Sequence, residues 1–387
     1  MKIAILLQGR FPTEKAYGIT TIGTLKSLVD LGHETKIFSL NSSYNTLEDE
    51  VHAGMIVNYS ENKLLSRLRK IAQSGIGLKS KVAWKLYWDL SFKFNRGSVK
   101  RSYSDVFWVR EPNMLRMIPE KSTVILEIHR SINLMGLKNI KKQIKRGSIV
   151  LAPISKQLET EVINYKLNTK IVLAPMGIDL NQLESIEEVS KYLLRLIDFR
   201  KGGLRGLRVG YIGKFAPNGY SKGVEDLIAL ASLSKAMNIG YEISLTGGDS
   251  TEIHSMDTAL KEFELMPGEI IIEGHLEHAQ AIRKYREMDV IVLTKPKSEK
   301  YLGFPLKALE SVASGRIVVA ARCQVYEDVF SGDFKPYWFI PGDVVSLNAA
   351  ILQAVHDPHI RERILDGIDY CRSYTWDSRV LRILGQL

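Results

Sequence analysis

The chain has 387 residues, 45% of them apolar and 25% charged; this length exceeds what one hydrophobic core ordinarily supports, so two domains are expected. A net charge of +10 favours anionic partners, whether phosphorylated small molecules, an anionic membrane face or nucleic acid. Cys323 and Cys371 are the only cysteines, which excludes a disulfide framework, and no apolar run approaches the roughly twenty residues of a membrane span, so a cytoplasmic protein, soluble or peripheral at the inner membrane face, is expected.

Short apolar runs alternate with stretches of helical period, the pattern of parallel strands covered by helices, so the fold class is α/β. Strands are expected at 2–7, 35–39, 106–109, 124–128, 148–152 and 171–173, and again at 208–212, 241–246, 269–273, 290–293 and 317–320. Two similar sheets follow from this restart. The domains are read as 1–183 and 207–373, joined by a linker at 184–206 whose glycines 202, 203 and 206 mark a hinge. A last helix in 374–387, with Trp376, Val380, Leu381 and Leu384 at helical spacing, is expected to pack back on the N-terminal domain.

Residues 63–101 hold eleven bases against one acid, Asp89, with Trp84, Tyr87, Trp88, Phe92 and Phe94 interleaved. Basic helices with such aromatics suit an anionic membrane surface. The same pattern also describes a solvated helix pair with its apolar face buried.

The most informative stretch is Tyr301-Leu302-Gly303-Phe304-Pro305-Leu306-Lys307-Ala308-Leu309-Glu310, which precedes Ala313-Ser314-Gly315 and the strand at 317–320. Gly303 permits a tight turn, Pro305 suits the first helical position, and Leu306, Leu309, Val312 and Ala313 form an inward face. Lys307 then opposes the helix dipole unless an anion, such as a diphosphate, sits at that end. Glu310, one turn on, reads either as an acceptor for two ribose hydroxyls or as a surface acid pairing with Lys307.

This run resembles the donor-site motif of the GT4 family of retaining glycosyltransferases, which have the GT-B fold. Tyr211-Ile212-Gly213-Lys214 with Lys222-Gly223 resembles the family's strand and loop whose two basic residues bind the donor diphosphate. Leu173-Ala174-Pro175-Met176-Gly177-Ile178-Asp179, Ala152-Pro153-Ile154-Ser155 and Leu31-Gly32-His33-Glu34 resemble three further family segments in the same order, so the likeness spans nearly the whole chain. It implies two Rossmann-like domains facing each other across a cleft.

The activity it implies is transfer of a hexose from a UDP- or GDP-sugar, with retention, to an acceptor left open among lipid-linked, polysaccharide and small-molecule compounds, in cell-envelope or polysaccharide assembly. Breaking the bond to a nucleoside diphosphate leaves negative charge, so fixed cations are needed there. Lys214 and Lys222 are the candidates, against the alternative of solvated loop lysines. Gly213, Gly303, Phe304, Pro305, Leu306 and Lys307 are the expected donor contacts. No metal and no cofactor is expected, because the sequence has no Asp-x-Asp pair of the kind that holds a metal against a nucleotide sugar.

On the N-terminal side His129 ends an apolar strand, where α/β proteins place ligand contacts; the resemblance gives it the donor sugar, and a structural histidine is the other reading. Gly18 resembles the glycine of the family's loop under the sugar, or is a plain glycine opening the first helix. The family's first glutamate, directly before Gly-Phe, is replaced by Leu302, which removes one acceptor from the sugar's site. Three other functions compete with this one. A GT-B protein that binds nucleotide without turnover is kept open by Leu302. A Rossmann dehydrogenase lacks its Gly-x-Gly-x-x-Gly fingerprint, and a nucleic-acid binder leaves the donor motif unexplained.

Overall fold

The computed structural model describes residues 1–11, 16–41, 54–58, 63–74, 78–102, 104–216, 220–296 and 304–387. The chain forms two compact units, one of Met1–Gly177 with Trp376–Leu387 and the other of Ile178–Thr375.

In unit 1 the order is β1 (Lys2–Phe11), α1 (Ala16–Asp30), β2 (Glu34–Asn41), β3 (Gly54–Asn58), α2 (Lys63–Ser74), α3 (Leu78–Lys100), β4 (Val106–Val109), β5 (Thr123–Ile128), α4 (Leu134–Arg146), β6 (Ser148–Pro153), α5 (Lys156–Asn164) and β7 (Lys170–Ile171). The strands make one parallel seven-stranded sheet in the order β3-β2-β1-β4-β5-β6-β7. Every residue of β4 is buried, as a strand covered on both faces requires; that is why its sequence is an unbroken apolar run and not an alternation.

Unit 2 repeats the plan with α6 (Ile186–Gly202), β8 (Arg208–Ile212), α7 (Glu225–Ala236), β9 (Glu242–Gly248), α8 (Ser250–Glu262), β10 (Ile271–Gly274), α9 (His278–Glu287), β11 (Val290–Leu293), α10 (Leu306–Ala313), β12 (Ile317–Ala321), α11 (Gln324–Val329), β13 (Tyr337–Phe339), α12 (Val344–His356) and α13 (Ile360–Arg372). Its parallel sheet runs β10-β9-β8-β11-β12-β13. In both sheets the strand order reverses direction, between β1 and β4 and between β8 and β11. Beyond the carboxyl ends of the strands such a reversal leaves a crevice, where open α/β sheets bind ligands.

The strands at 106–109, 208–212 and 290–293 stand as expected, while β3 and β13 were not foreseen. β13 is only three residues long, at a sheet edge, and its aromatic triplet has no period to read. Residues 184–206, expected as a linker, belong to unit 2. Ser185 caps α6 by accepting from Glu188 N at 3.1 Å, Val189 and Leu196 enter the core of the unit, and the Tyr192 hydroxyl donates to Asp289 O at 2.5 Å. The glycines read as a hinge therefore end a helix that is packed along its length.

The last helix, α14 (Trp376–Leu384), lies on unit 1. Its buried face is Trp376, Val380 and Ile383, whereas Leu381 is 54% exposed. The Trp376 ring rests on Gly23 of α1 so closely that a Cβ there would stand 2.3 Å from it. A side chain at Gly23 would therefore displace α14.

Candidate functional site

The carboxyl ends of β8, β9 and β11 gather the donor-side residues of unit 2. Gly213 ends β8 at φ +137° and donates its N–H to Thr246 O at 2.8 Å; a Cβ on Gly247, at φ +114°, would stand 2.9 Å from the carbonyl of Gly213. Glycine at both positions lets the two strand ends meet backbone to backbone. The loop that follows is tied down by Glu252 near the start of α8, whose carboxylate accepts from Phe215 N at 3.3 Å and Ala216 N at 2.9 Å. Lys214 projects from this loop into solvent.

Lys222 is held across the sheet reversal by its backbone. Its N–H donates to Phe215 O at 2.7 Å, on the β8 side, and its carbonyl accepts from Thr294 Oγ1 at 2.8 Å, directly after β11. Tyr211, buried in β8, joins the remaining parts: its hydroxyl donates to Lys214 O at 2.8 Å and accepts from Lys307 Nζ at 2.7 Å, and the Lys307 ammonium stands 4.0 Å from the ring centroid. A lysine in the first turn of α10 is thus supported by a phenol and a π-face.

The structure corrects two helix readings here. Pro305 is the N-cap of α10 and not its first helical residue, which is Leu306. Gly18, expected before α1, is its third residue and is buried. Phe304 stacks on Tyr374 with centroids 6.3 Å apart. Gly303 and Leu302 lie outside the described residues. Glu310 is 7% exposed and takes His278 Nε2 at 2.7 Å, so it is neither a surface acid nor the partner of Lys307. His278, the first residue of α9, is a member of this site that spacing did not reveal, because its partner is 32 positions away.

Unit 1 carries a second cluster, at the ends of β4 and β5. Glu127 is 3% exposed. It accepts from Trp108 Nε1 at 2.8 Å and from His129 Nε2 at 2.7 Å, pairs with Arg379 of α14 at 2.8 Å and faces Arg110 at 3.7 Å. Burial alone would raise its pKa; Arg379, the His129 bond and Arg110 outweigh that and hold the carboxyl well below the usual range. Arg110 also donates to Tyr17 O at 2.9 Å and to the Thr20 and Thr21 hydroxyls at 2.9 and 3.0 Å. A buried acid inside a strand, and an arginine on the Trp376 face of the last helix, were the sequence signals for this network.

His129 sits where expected, but both ring nitrogens are engaged, Nε2 by Glu127 and Nδ1 by Arg110 NH2 at 3.1 Å. A ligand reaches a ring nitrogen only if one of these bonds opens. Burial and the nearby Arg110 charge push its pKa down from 6.5 to about 4 in spite of Glu127, so the ring is neutral near pH 7. The unfolded chain binds a proton near pH 6.5 that the folded chain refuses until about pH 4, so stability is full above 6.5 and falls as pH drops through this window, by roughly 1.4 kcal/mol per pH unit. Urea unfolding of wild type and His129→Gln between pH 4 and 6.5 is expected to show a shallower pH slope in the variant. Equal slopes would refute a neutral imidazole at this position.

The helix pair α2–α3 divides the aromatics of residues 63–101. Tyr87 and Phe92 are buried, at 0% and 4% exposure; Trp88 stacks on Trp84 and on Phe92, and Tyr87 meets Trp84 and Trp88 edge-on, whereas Phe94 is 52% exposed. Among the described residues no helix is long and apolar enough to cross a membrane, and no three His, Cys, Asp or Glu side chains come together to hold a metal.

Residues 206–357 match the family model of glycosyl transferases group 1. That segment contains Lys214, Lys222, His278, Lys307 and Glu310. No curated protein matches the chain. Among solved structures, sucrose-phosphate synthase from Thermosynechococcus elongatus is 16% identical, covering 100% of this chain and 98% of that one at a TM-score of 0.66. Anabaena HepE in complex with UDP and glucose is 14% identical, covers 100% of both chains and scores 0.65. A glycosyltransferase from Rickettsia africae is 14% identical over 98% of this chain and 96% of that one and scores 0.66. At these identities the likeness shows the fold, and the fold is GT-B.

Proposed function

We propose that the protein is a glycosyltransferase whose unit 2 binds a nucleotide diphosphate sugar. The observation that carries this reading is the gathering of Lys214, Lys222, Lys307 and the N-terminus of α10 around the ends of β8 and β11, at the reversal of strand order, inside the segment that matches glycosyl transferases group 1. When the bond to the anomeric carbon breaks, the leaving diphosphate gains charge, and cations already in place at that point stabilise the transition state more than the ground state. The loop lysines do this without a metal ion. Glu310, oriented by His278, offers a carboxylate for hydroxyl recognition. UDP is the first donor base to test, since HepE, of the same fold, was solved with UDP and glucose. Retention is carried over from the GT4 resemblance. A lipid-linked acceptor of cell-envelope or polysaccharide assembly, met at the inner membrane face, is supported by the bases and exposed Leu64, Ile71, Leu86 and Phe94 of α2 and α3.

The test is a thermal-shift and sugar-release screen of the full chain against UDP, GDP, ADP and their common sugars, with EDTA present. One nucleotide family is expected to raise the melting temperature, since ligand at a hundred times its Kd stabilises by about 2.7 kcal/mol. Its sugar should be released slowly into water, and the anomer of the transferred sugar reports retention. No shift with any nucleotide overturns the reading, and a shift that EDTA abolishes overturns metal independence.

A further inference from the structure

Unit 1 holds a groove of about 550 Å³ between α3 and α4. Its floor is apolar, with Phe92 and Leu115 exposed by only 4% and 1%. Along one face of α4, Lys138, Lys142 and Arg146 follow one another at one-turn spacing; opposite them α3 presents Lys93 and Arg96, and Arg116 stands at the edge. Six cations thus share the groove with two carboxylates, Asp89 and Glu120. Asp89 is already paired with Arg116, whose guanidinium also lies 5.4 Å from the Phe92 ring centroid. Among the described residues Lys93, Arg96, Lys138 and Lys142 take part in no ion pair.

Arg146 is fixed in place. Its Nε donates to Gln143 Oε1 at 2.8 Å and its NH2 to Leu115 O. Burial, and then the charge of Arg96, lower its pKa, against Glu120, which raises it. Like charges gathered around a concave space are relieved by an anion, guanidiniums match phosphate oxygens in pairs, and the volume lies within the range of small-ligand sites. A solvated basic surface needs neither the concavity nor the anchored arginine.

We propose that this groove binds a ligand carrying several phosphate charges. The chemistry is shared by a soluble polyphosphorylated molecule and by anionic lipid headgroups, and the experiment separates the two. Inorganic tripolyphosphate is titrated calorimetrically into the full wild-type chain, into K138E/K142E, and into K214A/K222A, which reports on the donor side of unit 2; K138Q/K142Q, with circular dichroism of all variants, controls for folding. Wild type and K214A/K222A are expected to bind, and K138E/K142E to bind at least about tenfold more weakly, with K138Q/K142Q between them. The same proteins are sedimented with vesicles of phosphatidylglycerol and phosphatidylcholine. Pelleting that K138E/K142E abolishes assigns a lipid headgroup; tripolyphosphate binding without pelleting assigns a soluble ligand. Binding of neither probe by wild type, or unchanged binding of both in K138E/K142E, overturns the proposal.

Discussion

Replacing Arg379 by methionine is expected to destabilise unit 1 by about 3–5 kcal/mol, the range for removing one partner of a buried ion pair. Arg379 is 3% exposed; besides Glu127 it bonds Ala174 O and Thr24 Oγ1, both at 3.3 Å. The loss is large because Glu127 stays behind as a buried carboxylate, short of its closest counter-charge and unable to reach water. Methionine keeps most of the packing against the core, so the effect reads the charge and not a cavity. Adding Glu127→Gln to Arg379→Met should restore part of the stability, since an amide needs no counter-ion. Calorimetric unfolding of the single and double variants checks both points. A shift below about 1 kcal/mol in Arg379→Met would mean that water or Arg110 compensates the carboxylate, and the network would not be a stabilising element.

Alanine at Lys214 and at Lys222 is expected to lower the rate of sugar transfer by about 100- to 1,000-fold each, the usual consequence of removing one fixed charge from a developing anion. Both variants should fold, because Lys214 is exposed and these bonds hold the loop through backbone atoms of the two lysines: Lys222 N to Phe215 O, Thr294 Oγ1 to Lys222 O and the Tyr211 hydroxyl to Lys214 O. Steady-state kinetics with the donor identified by thermal shift distinguishes the roles. A fall in kcat with little change in KM marks transition-state stabilisation, whereas a rise in KM alone marks ground-state binding. Full activity in both variants would remove the lysines from the chemistry.

The segments that could be read from sequence are those where the physics is local. A strand buried on both faces of a parallel sheet must be a short unbroken apolar run, so Val106–Val109 and Val290–Leu293 announce themselves. The stretch from Phe304 to Glu310 was equally legible, although it placed Pro305 one position too far inside α10. β13 was not legible, because three residues at a sheet edge carry no period.

Charge pairing behaved differently. Glu310 was a candidate from the motif, but its partner His278 comes from the first residue of another helix, and Glu127 in β5 meets Arg379 more than 250 positions later. Pattern could mark each residue as out of place, a buried acid in a strand or an arginine on an apolar helix face, without naming what would neutralise it. The expected linker shows the same limit: glycines at 202, 203 and 206 are visible in sequence, but whether the preceding helix is free or packed depends on the surfaces Val189 and Leu196 find.

What this sequence determined by itself was therefore the class of fold, the doubling of the sheet and the stretch around α10, because apolar period, turn residues and helix ends act over a few neighbours. Only the tertiary structure decided that Arg379 of α14 pairs with Glu127, that His129 has both nitrogens engaged, and that cations of α3 and α4 share one groove. Each of these depends on which distant side chains are brought within a few ångströms, and burial sets that distance only once the whole core has formed.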